Sequence, residues 1–230
     1  KESSGTVVRA LANRLKSTTD SEERTALGNV LLRIVEEGPN ASVKRAAVTG
    51  LALADFVEAG DLILTLFVRK KNDEQLRATC AWALAELECR PAVPHLRRAF
   101  NDEEAEVVVC GAAEALSRLG GEKAENALQE AATGAATSKR DLAIYAMRLT
   151  SNPDVVDFIL SIATTNESDQ VRGAASRSLH WIISSSGQIR PEDLSEETQR
   201  KIKELTDSLN SAGVPDRGGQ FGAAQRLAVG

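Results

Sequence analysis

The stretch DEQLRATCAWALAEL, residues 73–87, has the apolar spacing of an amphipathic helix and returns along the chain in altered form. Its relatives are VKRAAVTGLA at residues 43–52, EVVVCGAAEALSRL at residues 106–119 and DQVRGAASRSLHWI at residues 169–182. Each copy has a landmark position, usually basic, and a large apolar residue seven positions after it. The landmarks are Lys44, Arg77, Val109 (in place of a basic residue), Arg140 and Arg172. The large apolar residues follow one another at intervals of 31 to 33 positions, and they are Leu51, Leu84, Leu116, Met147 and Leu179.

Two further columns of the alignment hold only small residues. They stand three and six positions after the landmark and lie on the same helical face as the large apolar residue. Small side chains allow neighbouring helices to approach closely, and their constant register predicts a tandem repeat. The two columns are Ala47, Cys80, Ala112, Ala143 and Ala175, and then Gly50, Ala83, Ala115, Ala146 and Ser178.

A second helical stretch follows each of four of these helices. The four stretches cover residues 59–70, 91–100, 122–132 and 153–163. Capping residues mark several boundaries: Asn72-Asp73 before one first helix, and Asn152-Pro153 and Pro91 before two second helices. A helix pair cannot bury its apolar stripe alone, so pairs are expected to stack. The sequence therefore predicts an all-α fold, an α-α superhelix of about six helical hairpins.

The predicted array covers residues 1–187, of which 1–40 form an atypical N-terminal pair that fits the columns poorly. Residues 188–211 are expected to add a polar capping helix that is apolar at Ile202, Leu205 and Leu209. Residues 212–230 form a Gly-rich tail. A period near 32 is also compatible with tetratricopeptide or ankyrin arrays, but their sequence signatures are missing.

The columns resemble HEAT repeats, specifically the short kind found in phycobilisome-lyase-type proteins. The stretches VKRAAVTGLA, LRATCAWALAEL, VVCGAAEALSRLG and VRGAASRSLHWI carry this resemblance between about residues 43 and 182. It implies that the basic landmark joins an acidic residue in a ladder along the stack. Asp73 precedes Arg77 and Asp169 precedes Arg172, whereas Val109 interrupts the ladder. It also implies an alternative function, as an accessory subunit of a bilin lyase or a related tetrapyrrole-handling factor.

Composition excludes several functional classes. Hydrophobic residues make up 42% of the chain but aromatic residues only 3%, which favours closely packed aliphatic helices. The formal net charge of −5 argues against general nucleic-acid binding. Cys80, Cys89 and Cys110 have neither disulfide nor zinc-site spacing, so a reducing, cytoplasmic location is expected. No apolar run is long enough to span a membrane.

The sequence contains no recognisable catalytic constellation. Its two histidines, His95 and His180, have no nucleophile partner implied by a motif, and both are expected to be exposed polar residues. RLGGEKAEN lacks the strand and lysine of a phosphate loop and is typical of a helix end and turn. The paired His-Glu motifs of metal-dependent HEAT hydroxylases are missing too. The prediction is therefore a non-enzymatic protein without catalytic residues, metal or cofactor.

Two candidate contact surfaces remain. The first is a basic cluster expected on consecutive second helices, which would suit a protein or acidic-peptide partner; a solvated face balanced by Asp73, Asp102 and Glu103 is the alternative. The second is an aromatic pair in a column expected to face solvent, five positions after the landmark; packing against a neighbouring segment is the alternative. The basic cluster is Arg69, Lys70, Lys71, His95, Arg97 and Arg98, and the aromatic pair is Trp82 and Tyr145.

These surfaces predict a protein-interaction scaffold that binds its partner on the inner, second-helix surface. The lyase-accessory role is the alternative. The sequence leaves the oligomeric state open.

Overall fold

The computed structural model describes residues 2–134, 137–165, 168–184 and 189–211. Over those residues it contains twelve α-helices and no β-strand. The predicted class, a HEAT-like α-solenoid built from helical hairpins, is confirmed. Residues 212–230, the predicted tail, lie outside the described part of the chain.

The helices alternate as the first and second members of hairpins. They are α1 (Glu2–Ser17), α2 (Ser21–Glu37), α3 (Ala41–Leu53), α4 (Gly60–Val68), α5 (Glu74–Glu86), α6 (Val93–Asp102), α7 (Glu106–Leu119), α8 (Glu122–Thr133), α9 (Thr137–Ala146), α10 (Pro153–Thr165), α11 (Asp169–Ser184) and α12 (Glu196–Ser211). Short 3-10 turns lie at Val57–Ala59, Arg90–Ala92, Met147–Leu149 and Pro191–Asp193.

The chain divides into two compact units, the first ending at Ala115 and the second beginning at Leu116. The division differs from the predicted segments 1–187 and 188–211, whose shared limit falls on residues that the structure does not describe. Those predicted segments remain a prediction, although the helices α1, α2 and α12 lie where the terminal pair and the capping helix were expected.

In the first unit, α1 packs against α2 and α3, and α5 packs against α3 and α4. Large side chains from successive helices fill this core, and the fully buried ones are Leu15, Leu31, Leu51, Ile63, Phe67, Leu84, Leu96 and Phe100. The apolar residues seven positions after the landmark, Leu51 and Leu84, are both completely buried. The period of the sequence therefore identifies the buried face correctly.

Small residues permit very close helix contacts in the first unit. A Cβ atom added to Gly50 of α3 would lie 2.5 Å from the Cβ of Ala12 in α1. A Cβ added to Gly111 of α7 would lie 3.3 Å from the Cα of Ala78 in α5. Backbones this close leave no room for a larger side chain. Gly50 belongs to one of the two columns of small residues. At this position the small residue allows two helices to approach closely, as predicted.

Most of the predicted caps are present. The Asp73 carboxylate accepts from the Leu76 backbone N–H at 2.9 Å, and Asn152 Oδ1 accepts from the Asp154 backbone N–H at 3.0 Å. Pro153 is the first residue of α10, as expected. Pro91 instead lies in a 3-10 turn, and α6 begins two residues later at Val93.

A left-handed turn recurs at the junction between hairpin helices. Asp55 has φ 51°, Glu88 has φ 50° and Gly120 has φ 58°, at positions one repeat apart. The Asp55 and Glu88 turns also have equivalent backbone hydrogen bonds, for example Phe56 N–H to the Leu51 carbonyl at 3.0 Å and Cys89 N–H to the Leu84 carbonyl at 2.8 Å. Two repeats therefore place a residue with a Cβ in a conformation that favours glycine.

We expect Glu88→Gly to raise the free energy of unfolding by about 0.5–1 kcal/mol. The left-handed conformation costs a non-glycine residue roughly 1–2 kcal/mol, and part of that gain is lost because glycine makes the unfolded chain more flexible. Urea titration would measure the change. Gly120→Ala is the matched control and is expected to destabilise the protein by a similar amount; a neutral result for both variants would contradict the strained turn.

In the second unit, α8 packs against α9, α10 against α11, and α12 against α10 and α11. Side-chain bonds connect these helices: Ser178 Oγ donates to the Ile144 carbonyl at 3.0 Å, and Thr198 Oγ1 donates to Asp157 Oδ1 at 2.8 Å. Helix α12 buries Ile202 against them. Its exposed surface carries charged side chains.

Candidate functional site

Arg77 links three helices in the first unit. Only 4% of its surface is exposed. Its Nε donates to the Phe67 carbonyl in the last turn of α4 at 2.9 Å, and its Nη2 donates to Glu103 Oε1, just after α6, at 2.9 Å. The guanidinium also lies 5.7 Å from the centroid of the Phe67 ring. One side chain of α5 thus joins the ends of two second helices.

The contacts of Arg77 differ from the predicted ladder of basic landmarks and preceding acidic residues. The acidic partner of Arg77 is Glu103, 26 residues later, whereas Asp73 is used as the cap of α5. Arg172 does pair with Asp169, as the resemblance implies. Val109, the uncharged landmark, is buried.

Lys70 also contacts the same carboxylate. Its Nζ lies 3.4 Å from Glu103 Oε1, and 73% of the lysine side chain is exposed. The hydrogen bond from Arg77 lowers the pKa of Glu103 below its ordinary value, and the positive charges of Arg77 and Lys70 add to that effect against the opposing effect of desolvation. Glu103 is therefore ionised at neutral pH and neutralised by two cations.

The lowered pKa of Glu103 predicts an acid-dependent loss of stability. Its contribution is complete above the ordinary glutamate pKa of about 4.3 and disappears as the pH falls through the lower pKa of the folded state. The free energy of unfolding of the wild type, measured by urea titration from neutral pH to about pH 3, should therefore fall more steeply than that of Glu103→Gln. Parallel curves for the two proteins would contradict this contribution.

The predicted basic cluster is split between a turn and a helix. Arg69, Lys70 and Lys71 are exposed residues of the turn after α4, which ends at Val68. Placing them on the second helix was wrong. The turn is held by Asn72, whose Nδ2 donates to the Leu66 carbonyl at 2.8 Å.

The rest of the cluster lies on α6, whose inner face buries Leu96 and Phe100. His95 and Arg98 are exposed and Arg97 is half-buried. The Nε of Arg97 is buried and has no hydrogen-bond partner among the described residues.

His95 lies about one helical turn further from the C-terminal end of α6 than Arg98. The contact between Lys70 and Glu103 brings the turn to the C-terminal end of α6. Arg98 precedes Glu103 by about 7.5 Å along the helix axis, and His95 precedes it by about 12 Å. We therefore call Arg69, Lys70, Lys71, Arg97 and Arg98 the basic edge, and His95 lies beyond it.

The two aromatic candidates belong to different units of the chain. Trp82 belongs to the first unit and Tyr145 to the second, and both are half-buried. The Tyr145 ring centroid lies 3.6 Å from the Cζ of Arg148, which also lies 5.3 Å from the Trp181 ring centroid. At Tyr145 the ring packs against a buried arginine, which favours the packing alternative over a fully solvent-facing column.

The cysteine thiols are held in the neutral form. Burial raises the pKa of Cys80 to about 12 and that of Cys110 to about 11. Burial also raises the pKa of Cys89. A neutral thiol is a poor nucleophile, so these side chains act in packing.

The described residues contain no group of three or more His, Cys, Asp or Glu side chains that could hold a metal ion. Nor do they include a helix whose length and apolar character would let it cross a membrane.

Comparison with known proteins identifies the repeat. The family model for HEAT repeats matches residues 28–109 and 62–148, which together span more than half of the chain. No curated protein matches the sequence significantly. Among solved structures, human deoxyhypusine hydroxylase in complex with glycerol matches at 13% identity over 99% of this chain and 98% of that one, with a TM-score of 0.31. The family match and the stacked hairpins together show that the chain belongs to the HEAT-repeat family.

Proposed function

We propose that this HEAT-repeat protein is an interaction scaffold that binds an acidic segment of a partner protein along its basic edge. The observation that carries the proposal is the contact between Lys70 and Glu103, which brings the exposed turn after α4 to the end of α6 that carries Arg97 and Arg98. The two sequence segments that carry the five cationic residues therefore meet within a single unit.

Two of the three acids that could balance the basic edge, Glu103 and Asp73, are already engaged, and the third, Asp102, is exposed. Arg77 and Lys70 already neutralise Glu103, and Asp73 is engaged as the cap of α5. These two acids are therefore not free to neutralise Arg69, Lys71 and Arg98, which are exposed. A positive edge on a protein of net charge −5 would select and orient a negatively charged segment.

Arg97 supports the same chemistry. A buried donor without an acceptor costs about 1–3 kcal/mol, which a ligand carboxylate would offset after a rotation of the side chain. Arginine also forms the bidentate pair that carboxylates accept. Arg97 and Arg98 are therefore the residues proposed to anchor the partner.

Fluorescence anisotropy with a labelled dodecamer of alternating glutamate and leucine tests this function. We expect saturable binding that weakens with added salt, and at least tenfold weaker binding by Arg97→Glu/Arg98→Glu. A lysine-leucine dodecamer is the ligand control, and Lys203→Glu on α12, which is exposed, is the control for a charge reversal elsewhere. Binding that the double reversal leaves unchanged, or no binding to the acidic dodecamer, would remove the basic edge as the site and favour a solvated charged face.

The bilin-lyase alternative has no supporting observation among the described residues. The family that matches is HEAT repeats in general. We therefore do not propose tetrapyrrole handling. The cytoplasmic location and the non-enzymatic character stay predictions of the sequence.

A further inference from the structure

Helices α1 and α2, together with Val43 at the start of α3, line an apolar groove of about 450 Å³. Val7 and Val30 are 55% and 45% exposed on this face, whereas Val8 is buried beside them. Arg33 and Glu37 of α2 line the same groove and are exposed. The groove thus combines an open aliphatic surface with one positive and one negative side chain.

This face differs from the exposed surface of α12. That helix presents surface ion pairs, between Lys201 and Glu197 at 2.6 Å and between Arg200 and Glu204 at 3.9 Å. Array surfaces that stay open to water are normally polar, because an exposed apolar patch promotes association. Two exposed valines beside one apolar groove distinguish this face from a singly exposed valine such as Val57, and the combination is typical of a surface that a partner covers.

We infer that a second copy of this chain covers the groove, forming a two-fold dimer through α1 and α2. Arg33 and Glu37 lie one helical turn apart, and no residue in the described part of the chain forms an ion pair with either of them. When two α2 helices meet antiparallel about a two-fold axis, each Arg33 can face the Glu37 of the other copy. The face is therefore complementary to itself, as an isologous interface requires.

The size of the face sets the expected strength of the dimer. Helix α2 is about 25 Å long, and two packed helices are about 20 Å wide. The resulting area of roughly 500 Å² on each copy is near the lower limit for a specific interface. The dimer is weak, and it forms in the micromolar range of protein concentration.

Sedimentation velocity between about 5 and 300 μM tests the interface. The wild type is expected to shift from monomer to dimer across this range, and Val30→Lys is expected to stay monomeric. Val57→Lys, at a position 58% exposed in the turn before α4, is the matched control and should still dimerise. Circular dichroism verifies folding, and Val7→Lys replaces Val30→Lys if that variant does not fold.

Charge exchange tests the two-fold arrangement. Arg33→Glu and Glu37→Arg should each abolish self-association, since each variant opposes like charges across the interface. An equimolar mixture of the two should restore the dimer, because each glutamate of one variant then faces an arginine of the other.

Three results would overturn the inference. The first is a wild type that stays monomeric at the highest concentration, which would leave the groove to a different partner or segment. The second is a dimer that survives both valine substitutions. The third is a mixture of the charge variants that stays monomeric.

Discussion

Arg77→Met is expected to lower the free energy of unfolding by about 3 kcal/mol, because it removes one partner of a nearly buried ion pair. The Glu103 side chain, 11% exposed, would keep only the exposed Lys70 as its cation. The Phe67 carbonyl would also lose the donor that connects α4 to α5. Urea titration at neutral pH measures the loss.

A control variant distinguishes the nearly buried pair of Arg77 and Glu103 from an ordinary surface ion pair. Lys201→Met breaks the pair with Glu197 on α12, in which both side chains are largely exposed, so its cost should be below about 1 kcal/mol. A double-mutant cycle of Arg77→Met with Glu103→Gln should show that the two changes are not additive. Equal costs for Arg77→Met and Lys201→Met would contradict the linking role of Arg77.

Gly28→Val is expected to destabilise the protein by about 2–3 kcal/mol through overpacking. Gly28 is buried in α2, and an added Cβ would overlap three carbons of the Phe56 ring. Phe56 is itself 4% exposed, so the ring cannot move into solvent without losing its own packing. Thermal and urea unfolding measure the change.

A second substitution, at Phe56, is expected to rescue the Gly28→Val variant. Adding Phe56→Leu should recover more than about 1 kcal/mol relative to the sum of the single changes, because the smaller side chain leaves room beside residue 28. Gly5→Val on α1 is the control, since an added Cβ there meets no atom within 4 Å. A Gly28→Val protein as stable as Gly5→Val would contradict the close contact.

The repeat could be predicted because its information is periodic. Leu51 and Leu84 recur on one helical face, and the structure buries both. Gly50 likewise allows α1 and α3 to approach closely. The helix caps at Asp73 and Asn152 were predictable for a similar reason, since a local hydrogen bond fixes them within three residues.

The parts that could not be predicted depend on which distant residues the turns bring together. The partner of Arg77 lies 26 residues later, and no local pattern distinguishes Glu103 from Asp102 or Glu104. The turn at Glu88 carries no glycine to indicate a positive φ. Arg148 in the second unit was missed because a buried arginine stacked on Tyr145 has no periodic signature.

The most direct test of the proposed scaffold is a map of backbone amide chemical-shift changes during titration with the acidic dodecamer. We expect the changes to concentrate at residues 69–71 and at α6 through Glu103, and Arg97→Glu/Arg98→Glu to abolish them. Changes confined to other helices, or spread evenly over the protein, would contradict it.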